Sequence, residues 1–334
     1  MNTKVLFEEY REDILACVHH GAACVVDKDG ITAAVGDTDW TCFYRSASKP
    51  IQSLPVLIHG LDQKYGLTEE ETALFSGSHW GDEEHVRVLE SIMQKTGLKE
   101  EQMIMLPTYP NRLSERNRLI ENHMPPRKVY HNCSGKHLGM MLLARELGEE
   151  VSGYWRRDSR TQQEILRIIS MMTDVAAKDI RTGVDGCGVP VYAVPFHSIA
   201  TSYLRLVCPE LIQDLVLQTA VIKNINMIHQ YPHMIAGKDI VCSVLASSGD
   251  LLGKSGAMGV YALGIRSLGV GVVVKIMDGS HDEFAAAVLR VFEELDYDNQ
   301  EVAEQLKELY PAAVVNDNKE MVGYRKAVFK LFKE

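Results

Sequence analysis

The chain has neither a long apolar run nor a concentrated basic patch. No window of about eighteen uncharged, apolar residues is present, so the pattern of a transmembrane helix is missing. The formal net charge is −10, from 35 basic and 45 acidic residues. A surface for nucleic acid or anionic lipid needs clustered positive charge. We therefore expect no nucleic-acid partner and no membrane partner.

Closely spaced cysteines are also missing. The seven cysteines are scattered, odd in number and without a Cys-x-x-Cys pair, which favours reduced thiols over a disulfide framework. Residues 1–9 are too acidic, and their apolar part too short, for a signal peptide. These features predict a cytoplasmic protein.

No repeat, low-complexity tract or flexible linker divides the 334 residues, and 46% of them are hydrophobic, enough for a sizeable core. The order of strands, helices and strands predicts an α+β fold, in which an antiparallel sheet of N- and C-terminal strands packs against helices. We expect a single domain, 1–334, with a sheet lobe from about 15–45 and 239–325 and a helical lobe from about 46–238.

Local patterns place the elements. Apolar runs on either side of a turn at 27–30 predict a β-hairpin over 17–35. Helical spacing predicts helices, and β-rich runs predict strands. The predicted helices are 50–59, 68–75, 83–96, 138–147, 159–173, 209–229 and 281–295, and the predicted late strands are 239–246, 251–254, 257–263 and 269–277.

A serine and a lysine stand three residues apart, Ser46 and Lys49, at the start of a predicted helix. Side chains at this spacing share a helix face, about 5–6 Å apart at Cβ. A serine hydroxyl needs a neighbouring base to become a nucleophile. A lysine serves as that base if burial or a nearby cation, such as Arg45, lowers its pKa. The plainer alternative is an N-cap serine, because Ser-x-x-Lys recurs by chance.

Two further segments strengthen the catalytic interpretation. Ser78 lies in a loop of small and polar residues, and Lys254-Ser255-Gly256 lies on or beside a predicted strand. Ser-x-x-Lys on a helix, a loop serine and Lys-[Ser/Thr]-Gly on a strand together characterise penicillin-recognising serine enzymes. The Ser-Asp-Asn motif of those enzymes is absent, so Ser78 is only a functional stand-in for its serine.

Beyond that superfamily, the sequence resembles the asparaginase II family, the Rhizobium-type class 3 L-asparaginases. The resemblance spans about residues 15–325, in order. Its segments are Arg45-Ser46-x-x-Lys49-Pro50, Ser78-His79, Asn132-Cys133-Ser134-Gly135-Lys136-His137, Asp185-Gly186-Cys187-x-x-Pro190, Ala236-Gly237 and Gly253-Lys254-x-Gly256-Ala257. The resemblance implies a serine β-lactamase/glutaminase-like fold, a homodimer, and hydrolysis of L-asparagine to L-aspartate and ammonia.

The same resemblance implies roles for individual residues. Two Ser-Lys pairs, Ser46 with Lys49 and Ser78 with Lys254, would act in one pocket through a serine acyl-enzyme. The residues implied near the substrate are Arg45, Asp185 and Lys136, and those implied to bind zinc are Cys133, Lys136 and Cys187. His79 is a further candidate near the substrate, because it stands beside Ser78.

The prediction of a zinc site rests on the family resemblance alone. Cys133 and Cys187 are 54 positions apart, and on pattern alone they read as buried structural thiols. Lys136 must be neutral to coordinate a metal. If zinc binds, we expect it to orient substrate rather than to generate the nucleophile.

Two other functions stay open at this point. One is a β-lactamase or transpeptidase-like acyl enzyme, which the missing Ser-Asp-Asn motif and export signal disfavour. The other is a non-catalytic protein of the same fold that binds zinc or an amino acid. The sequence also leaves open whether asparagine or glutamine is preferred, and whether Ser46 or Ser78 is acylated.

Overall fold

The computed structural model describes residues 2–333, which divide into two compact units. The first unit comprises the chain up to Ala47, Val194–Cys208 and the chain from Val244 onward. The second unit comprises Ser48–Ala193 and Pro209–Ser243. Within the described residues, no helix has the length and apolarity needed to span a membrane. That the chain forms a single domain stays a prediction.

The strands lie mainly near the two ends of the chain. They are β1 (Lys4–Arg11), β2 (Ile14–Asp27), β3 (Gly30–Val35), β4 (Thr41–Phe43), β5 (Arg181–Val184), β6 (Pro190–Pro195), β7 (Leu251–Gly256), β8 (Val260–Ile265), β9 (Val270–Ile276), β10 (Ala313–Val315), β11 (Met321–Ala327) and β12 (Phe332–Lys333).

The helices fill most of the middle of the chain. They are α1 (Lys49–Gln52), α2 (Leu54–Ile58), α3 (Leu61–Lys64), α4 (Glu69–Ala73), α5 (Glu83–Thr96), α6 (Leu113–Glu121), α7 (Ser134–Glu146), α8 (Arg160–Thr173), α9 (Phe196–Val207), α10 (Leu215–Gln230), α11 (Val241–Ala246), α12 (Phe284–Glu294) and α13 (Gln300–Leu309).

The first unit is built on an antiparallel sheet in the order β10-β11-β1-β2-β9-β8-β7, with β3 beside β2 and β12 beside β3. Helix α9 packs against β2, β8 and β9. Residues 21–26 of β2 are buried without alternation, as expected of a strand covered on both faces. The predicted α+β class, with N- and C-terminal strands in one antiparallel sheet, is confirmed.

The β-hairpin predicted over residues 17–35, with its turn at 27–30, is present as β2 and β3. Asp27 pairs with Gly30, and Cys24 pairs with both Ala34 and Val273, which makes β2 an interior strand at that point. Gly30 has φ +133°, a value that favours glycine in the tight turn.

The second unit is mainly helical and includes a small hairpin. Residues 181–184 of β5 pair with residues 190–193 of β6. Helix α5 has the bounds predicted from its sequence, because acidic Glu83 and Glu84 favour its start and Gly97, at φ +69°, ends it. The predicted helix over 50–59 is divided into α1 and α2 at Ser53, two residues before Pro55.

The predicted strand over 239–246 is wrong, because Val241–Ala246 form helix α11. All six of its residues are buried. A short apolar run that is buried on all sides has no alternation of period two, so its pattern does not separate a strand from a helix. The first strand, β1, and the late helix α13 were not predicted.

Candidate active site

Ser46 lies in a short 3-10 helix, Arg45–Ser48, that follows β4. Its side chain is half-buried. The preceding residue, Arg45, has φ +50°, in the left-handed region that residues with a side chain seldom adopt. Such a conformation costs on the order of 1–3 kcal/mol and persists only where the surroundings impose it. The chain is therefore constrained at the residue before the predicted nucleophile.

The surroundings of the Ser46 turn, residues 44–47, supply that constraint within the first unit. Tyr203 donates its hydroxyl to the carbonyl oxygen of Ala47 at 2.7 Å. Tyr44 donates to the hydroxyl of Ser202 at 2.6 Å, and both tyrosines are fully buried. Gly256 closes the other side, since a Cβ there would lie 2.7 Å from the Tyr44 carbonyl oxygen. Only glycine fits so close to this turn.

Lys254 lies on β7, two residues before Gly256. Alternate residues of a strand face the same side, so Lys254 leaves the sheet on the face against which the Ser46 turn lies. Its side chain is fully buried, and its Nζ donates to the carbonyl oxygen of Ser255 at 3.0 Å. A buried amine is costly unless it is hydrogen-bonded.

Lys49 and Ser78 are in direct contact within the second unit. Lys49 begins α1 and is fully buried. Its Nζ lies 2.8 Å from the Ser78 Oγ and donates to the carbonyl oxygen of Asn132 at 3.1 Å. At 2.8 Å a proton moves between hydroxyl and amine without a bridging water. This contact was not among the pairs predicted from the sequence.

The Ser78 loop, residues 76–82, is fastened by its backbone. The N–H of Ser78 donates to the Ile235 carbonyl at 2.8 Å, and that of Trp80 to the Ala236 carbonyl at 3.0 Å. A Cβ on Gly77 would lie 2.3 Å from the Met234 carbonyl oxygen. The loop therefore lies so close to residues 234–236 that position 77 must be glycine.

Charged side chains brace the end of the same loop. Arg112 donates to both carboxylate oxygens of Asp82 and to both of Asp239. Its guanidinium also stacks on the Trp80 ring, 5.1 Å from the centroid. Hydrogen bonds from Arg112 lower the pKa of Asp239 below its ordinary value. The end of the Ser78 loop is thus held by an arginine between two carboxylates.

His79, next to Ser78, is fully buried. One ring nitrogen, Nδ1, accepts from the N–H of Gly81 at 3.2 Å, and the other, Nε2, lies 2.7 Å from the Ser134 Oγ. Burial and the nearby charges of His85 and Lys49 hold the pKa of His79 well below its ordinary value. The imidazole is therefore neutral at physiological pH.

Two cysteines and a lysine meet in the second unit. Cys133 precedes α7, Lys136 lies in its first turn, and Cys187 lies in the turn between β5 and β6. Each is at most 5% exposed. The Lys136 Nζ donates to the Cys187 Sγ at 3.2 Å.

The charges of this cluster depend on one another. A hydrogen bond from Cys187, with the ammonium groups of Lys49 and Lys136, outweighs burial and lowers the pKa of Cys133 well below its ordinary value. The same hydrogen bond and burial raise the pKa of Cys187. Burial alone would lower the pKa of Lys136, but Cys187, Cys133 and Asp185 outweigh it and raise that pKa. A positive charge on Lys136 and a negative charge on Cys133 thus favour each other.

Asp185 lies in a tight turn beside these groups. Its N–H donates to the Val189 carbonyl at 2.9 Å, and its own carbonyl accepts from the N–H of Gly188 at 2.9 Å. The half-buried Asp185 carboxylate accepts from the N–H of Gly186 at 2.8 Å. The turn keeps this negative charge near Lys136.

The donor set of the cluster fits a zinc ion. Two sulfur atoms and an amine nitrogen are donors that zinc accepts once they have lost their protons, and the Lys136 Nζ and the Cys187 Sγ lie 3.2 Å apart. In residues 2–333, no three histidine, cysteine, aspartate or glutamate side chains form a metal-binding group by themselves. A metal here would therefore depend on Lys136, which must release its proton to bind.

The structure brings together the predicted residues within each unit. In the first unit, Lys254 faces the side of the sheet on which Arg45 and Ser46 lie. In the second, Lys49 contacts Ser78, and Lys136 contacts Cys187. Sequence reasoning missed the supporting residues Asn132, Ser134, Arg112 and Tyr203. Only Asn132 and Ser134 had a signal, because they stand in the segment Asn132–His137.

Comparison with known proteins shows the family. The sequence matches the model of the L-asparaginase II family over residues 7–327. No curated protein matches it significantly.

Solved structures give weak likenesses. A β-lactamase from Mycobacterium bovis is 14% identical, over 87% of this chain and 95% of that chain, with a TM-score of 0.39. A Bacillus subtilis glutaminase in covalent complex with 5-oxo-L-norleucine is 13% identical, over 87% and 86%, with a TM-score of 0.34. Simvastatin synthase from Aspergillus terreus is 12% identical, over 86% and 91%, with a TM-score of 0.36. Likenesses at this level do not indicate a substrate.

Proposed function

The chain belongs to the L-asparaginase II family, which places it among amide hydrolases, and on this premise we propose that it hydrolyses L-asparagine to L-aspartate and ammonia. The observation that carries the proposal is the fully buried Lys49 with its Nζ 2.8 Å from the Ser78 Oγ. A buried amine against a serine hydroxyl is the arrangement that moves protons during acyl transfer.

In the first half of the proposed reaction, the Ser46 Oγ attacks the carbon of the substrate's side-chain amide. In the reactive form Lys49 has released its ammonium proton to solvent, and its amine takes the proton from Ser46 as the C–O bond forms. Lys49 then returns a proton, through the Ser78 hydroxyl, to the amide nitrogen. The C–N bond breaks, ammonia leaves, and an aspartyl ester on Ser46 remains.

In the second half, water replaces the amide nitrogen. As the water attacks the ester carbonyl, its proton passes through the Ser78 hydroxyl to the amine of Lys49. The bond to the Ser46 Oγ then breaks, and Lys49 returns the proton to that oxygen. Lys254, on the sheet face of the Ser46 turn, supplies positive charge for the developing oxyanion. The products are L-aspartate and the free serine.

We also propose that Cys133, Lys136 and Cys187 hold a zinc ion. Its positive charge would orient an anionic part of the substrate rather than activate water, because two thiolates weaken its Lewis acidity. Arg45, Asp185 and Lys136 are proposed to help bind the substrate's charged groups. A homodimer and a cytoplasmic location stay predictions.

The first test is ammonia release from L-asparagine by the wild type, Ser46→Ala and Ser78→Ala, with and without added zinc. We expect both variants to lose at least about 1,000-fold in kcat, as removal of a nucleophile or of its proton relay does. Ser91→Ala is the control, because Ser91 is a partly buried serine of helix α5 whose hydroxyl donates to the Glu71 carboxylate. Its kcat should not change.

The other outcomes have distinct meanings. A wild type that releases no ammonia, yet melts at a higher temperature with asparagine, would replace the enzyme with a binding protein. Hydrolysis of a chromogenic β-lactam without release of ammonia from asparagine would point to the β-lactamase alternative. Acid quenching during turnover, followed by peptide mapping, identifies the acylated serine; an ester on Ser78 would exchange the roles of the two serines.

A further inference from the structure

A directed chain of hydrogen bonds runs through His79 inside the second unit. The N–H of Gly81 meets Nδ1 at 3.2 Å, Nε2 meets the Ser134 Oγ at 2.7 Å, and the Ser134 Oγ meets the Val129 carbonyl oxygen at 3.1 Å. A backbone N–H only donates and a carbonyl only accepts. Every bond between these two ends therefore has one possible direction.

That direction assigns the histidine tautomer. Because Nδ1 accepts from Gly81, the ring proton lies on Nε2, and Nε2–H donates to Ser134. A second ring proton, on Nδ1, would point at the N–H of Gly81, and two donors cannot form a hydrogen bond with each other. The ring is also stacked on His85, with centroids 5.2 Å apart, and His85 is bonded to the His233 carbonyl at 2.9 Å. The position and the tautomer of His79 are thus both fixed.

The two side chains of this hydrogen-bond chain, His79 and Ser134, lie beside two different parts of the proposed active site. On one side His79 is covalently next to Ser78, whose Oγ contacts Lys49. On the other side Ser134 follows Cys133 and precedes Lys136 by two residues, in the first turn of α7. The hydrogen bond between His79 and Ser134, side chains 55 positions apart, joins these two segments directly, beside the link through Lys49, which bonds to Ser78 and to the Asn132 carbonyl.

We propose that His79 is a positioning residue, which holds the Ser78 hydroxyl and the Cys133–Lys136 turn at a fixed separation through its bond to Ser134. This role rests on the proposed function, since it sets the geometry of the same site. Both ring nitrogens are engaged and the side chain is fully buried, so His79 acts through its neighbours rather than by touching substrate.

Two substitutions each remove one of the two hydrogen bonds that the His79 imidazole makes. Asparagine at position 79 places an amide oxygen near Nδ1, where it keeps the Gly81 bond but does not reach Ser134. Glutamine is one methylene longer, so its amide N–H reaches the place of Nε2 and keeps the Ser134 bond. His79→Asn and His79→Gln each lose one hydrogen bond, and we expect similar falls in melting temperature.

The two variants should differ in function. We expect His79→Asn to lower kcat about 10-fold or more with little change in KM, and to weaken zinc binding by about 10–100-fold, as loss of support for metal ligands does. His79→Gln should keep both values within about 3-fold of the wild type. Zinc affinity is measured with the metal alone, in competition with a chromogenic chelator. Equal behaviour of the two variants would overturn the proposal.

Ser134→Ala removes the same bond from its other side, together with the Ser134 bond to the Val129 carbonyl, and keeps the imidazole. It should reproduce His79→Asn, and the double variant should add little, because both changes break one interaction. Additive effects would contradict the proposal. If His79→Asn does not fold, Ser134→Ala alone tests the bond, and wild-type kcat and zinc affinity in that variant would overturn the proposal.

Failure of the proposed function is a separate result. If the wild type neither releases ammonia nor binds zinc, the proposed function fails. Alkylation of Cys133 by iodoacetamide then still reports whether the His79–Ser134 hydrogen bond holds the Cys133–Lys136 turn in place. We expect alkylation several-fold faster in His79→Asn and Ser134→Ala than in the wild type and His79→Gln. Equal alkylation rates in all four proteins would overturn the positioning role.

Discussion

The Ser46 turn and the Ser78 loop are held in place by different chemistry. Uncharged groups hold the Ser46 turn: the Tyr203 hydroxyl on the Ala47 carbonyl and the close contact of Gly256. Charged groups hold the Ser78 loop: Lys49 on the serine itself and Arg112 between two carboxylates. The first serine is positioned by shape and neutral hydrogen bonds, whereas the loop of the second adds charged groups to its backbone hydrogen bonds and the close contact of Gly77.

The difference has a consequence for catalysis. A neutral hydrogen bond keeps its strength over a wide range of pH and salt, whereas an ion pair weakens when either partner loses its charge. A nucleophile benefits from a fixed position, because a small displacement of the attacking atom costs much of the rate. A proton relay must instead be in contact with a group that changes its charge. The constrained φ of Arg45, beside Ser46, agrees with this division.

Both segments depend on a glycine, and substitution there should have the largest effects. A Cβ on Gly77 would lie 2.3 Å from a carbonyl oxygen of the backbone, and one on Gly256 would lie 2.7 Å from another. Because backbone atoms do not easily move aside, we expect Gly77→Ala to cost about 3 kcal/mol of unfolding free energy and Gly256→Ala about 2 kcal/mol. Urea denaturation measures both.

Gly153→Ala is the control for these two variants. No atom lies within 4 Å of a Cβ at Gly153, and this glycine does not have a left-handed φ. The substitution should leave stability unchanged or raise it slightly. If Gly77→Ala were as stable as Gly153→Ala, the Ser78 loop would not be packed against residue 234 as closely as described.

Removing Arg112 should have the next largest effect, because it braces only the charged segment. Arg112→Gln leaves two carboxylates without their shared partner and removes the stacking on Trp80, for a cost of about 1.5 kcal/mol. Arg118→Gln is the matched control, since that arginine is half exposed and pairs with Glu83 and Glu115 at the surface. The control should cost less than about 1 kcal/mol. Equal costs would show that Arg112 contributes no more than a surface ion pair.

Much of the sheet and several helices could be predicted from local signals. The β2–β3 hairpin follows from apolar runs on either side of a turn, and α5 from acidic residues at its start and a glycine after its end. The run over 239–246 has no such signal, and there the prediction was wrong. Local patterns therefore sufficed where the ends of an element are marked by a turn, a charge or a glycine.

The contacts of the candidate site were not accessible in the same way. Lys49 and Ser78 are 29 positions apart, and His79 and Ser134 are 55 apart. Neither periodicity nor a capping preference relates residues at such distances, so only resemblance to a family placed these segments in one site. Tyr203 is an ordinary buried residue of α9, and nothing in the sequence indicates that its hydroxyl reaches the Ser46 turn.

Loss of the Tyr203 hydroxyl tests the uncharged side of the comparison. Tyr203→Phe should cost about 1 kcal/mol of stability, because it removes one buried hydrogen bond to Ala47. It should also lower kcat, since the turn that carries Ser46 gains freedom. Tyr192→Phe is the control, because that buried hydroxyl donates to Gln162 within the second unit. We expect the same stability loss there without a change in kcat; equal kcat values in the two variants would contradict the role of Tyr203.

The smallest expected effect is the change with pH in the stability costs of Arg112→Gln and Tyr203→Phe. Hydrogen bonds from Arg112 lower the pKa of Asp239, so this pair stabilises the protein above the unfolded-state pKa of about 4 and loses its contribution as pH falls through the folded-state pKa. The cost of Arg112→Gln should therefore shrink between pH 5 and pH 3, by less than about 1 kcal/mol because Asp239 is half exposed. No group in the Tyr203 bond to Ala47 titrates in this range, so the cost of Tyr203→Phe should stay constant. Urea denaturation at several pH values measures both, and a cost of Arg112→Gln that does not change with pH would remove charge as the distinction between the two segments.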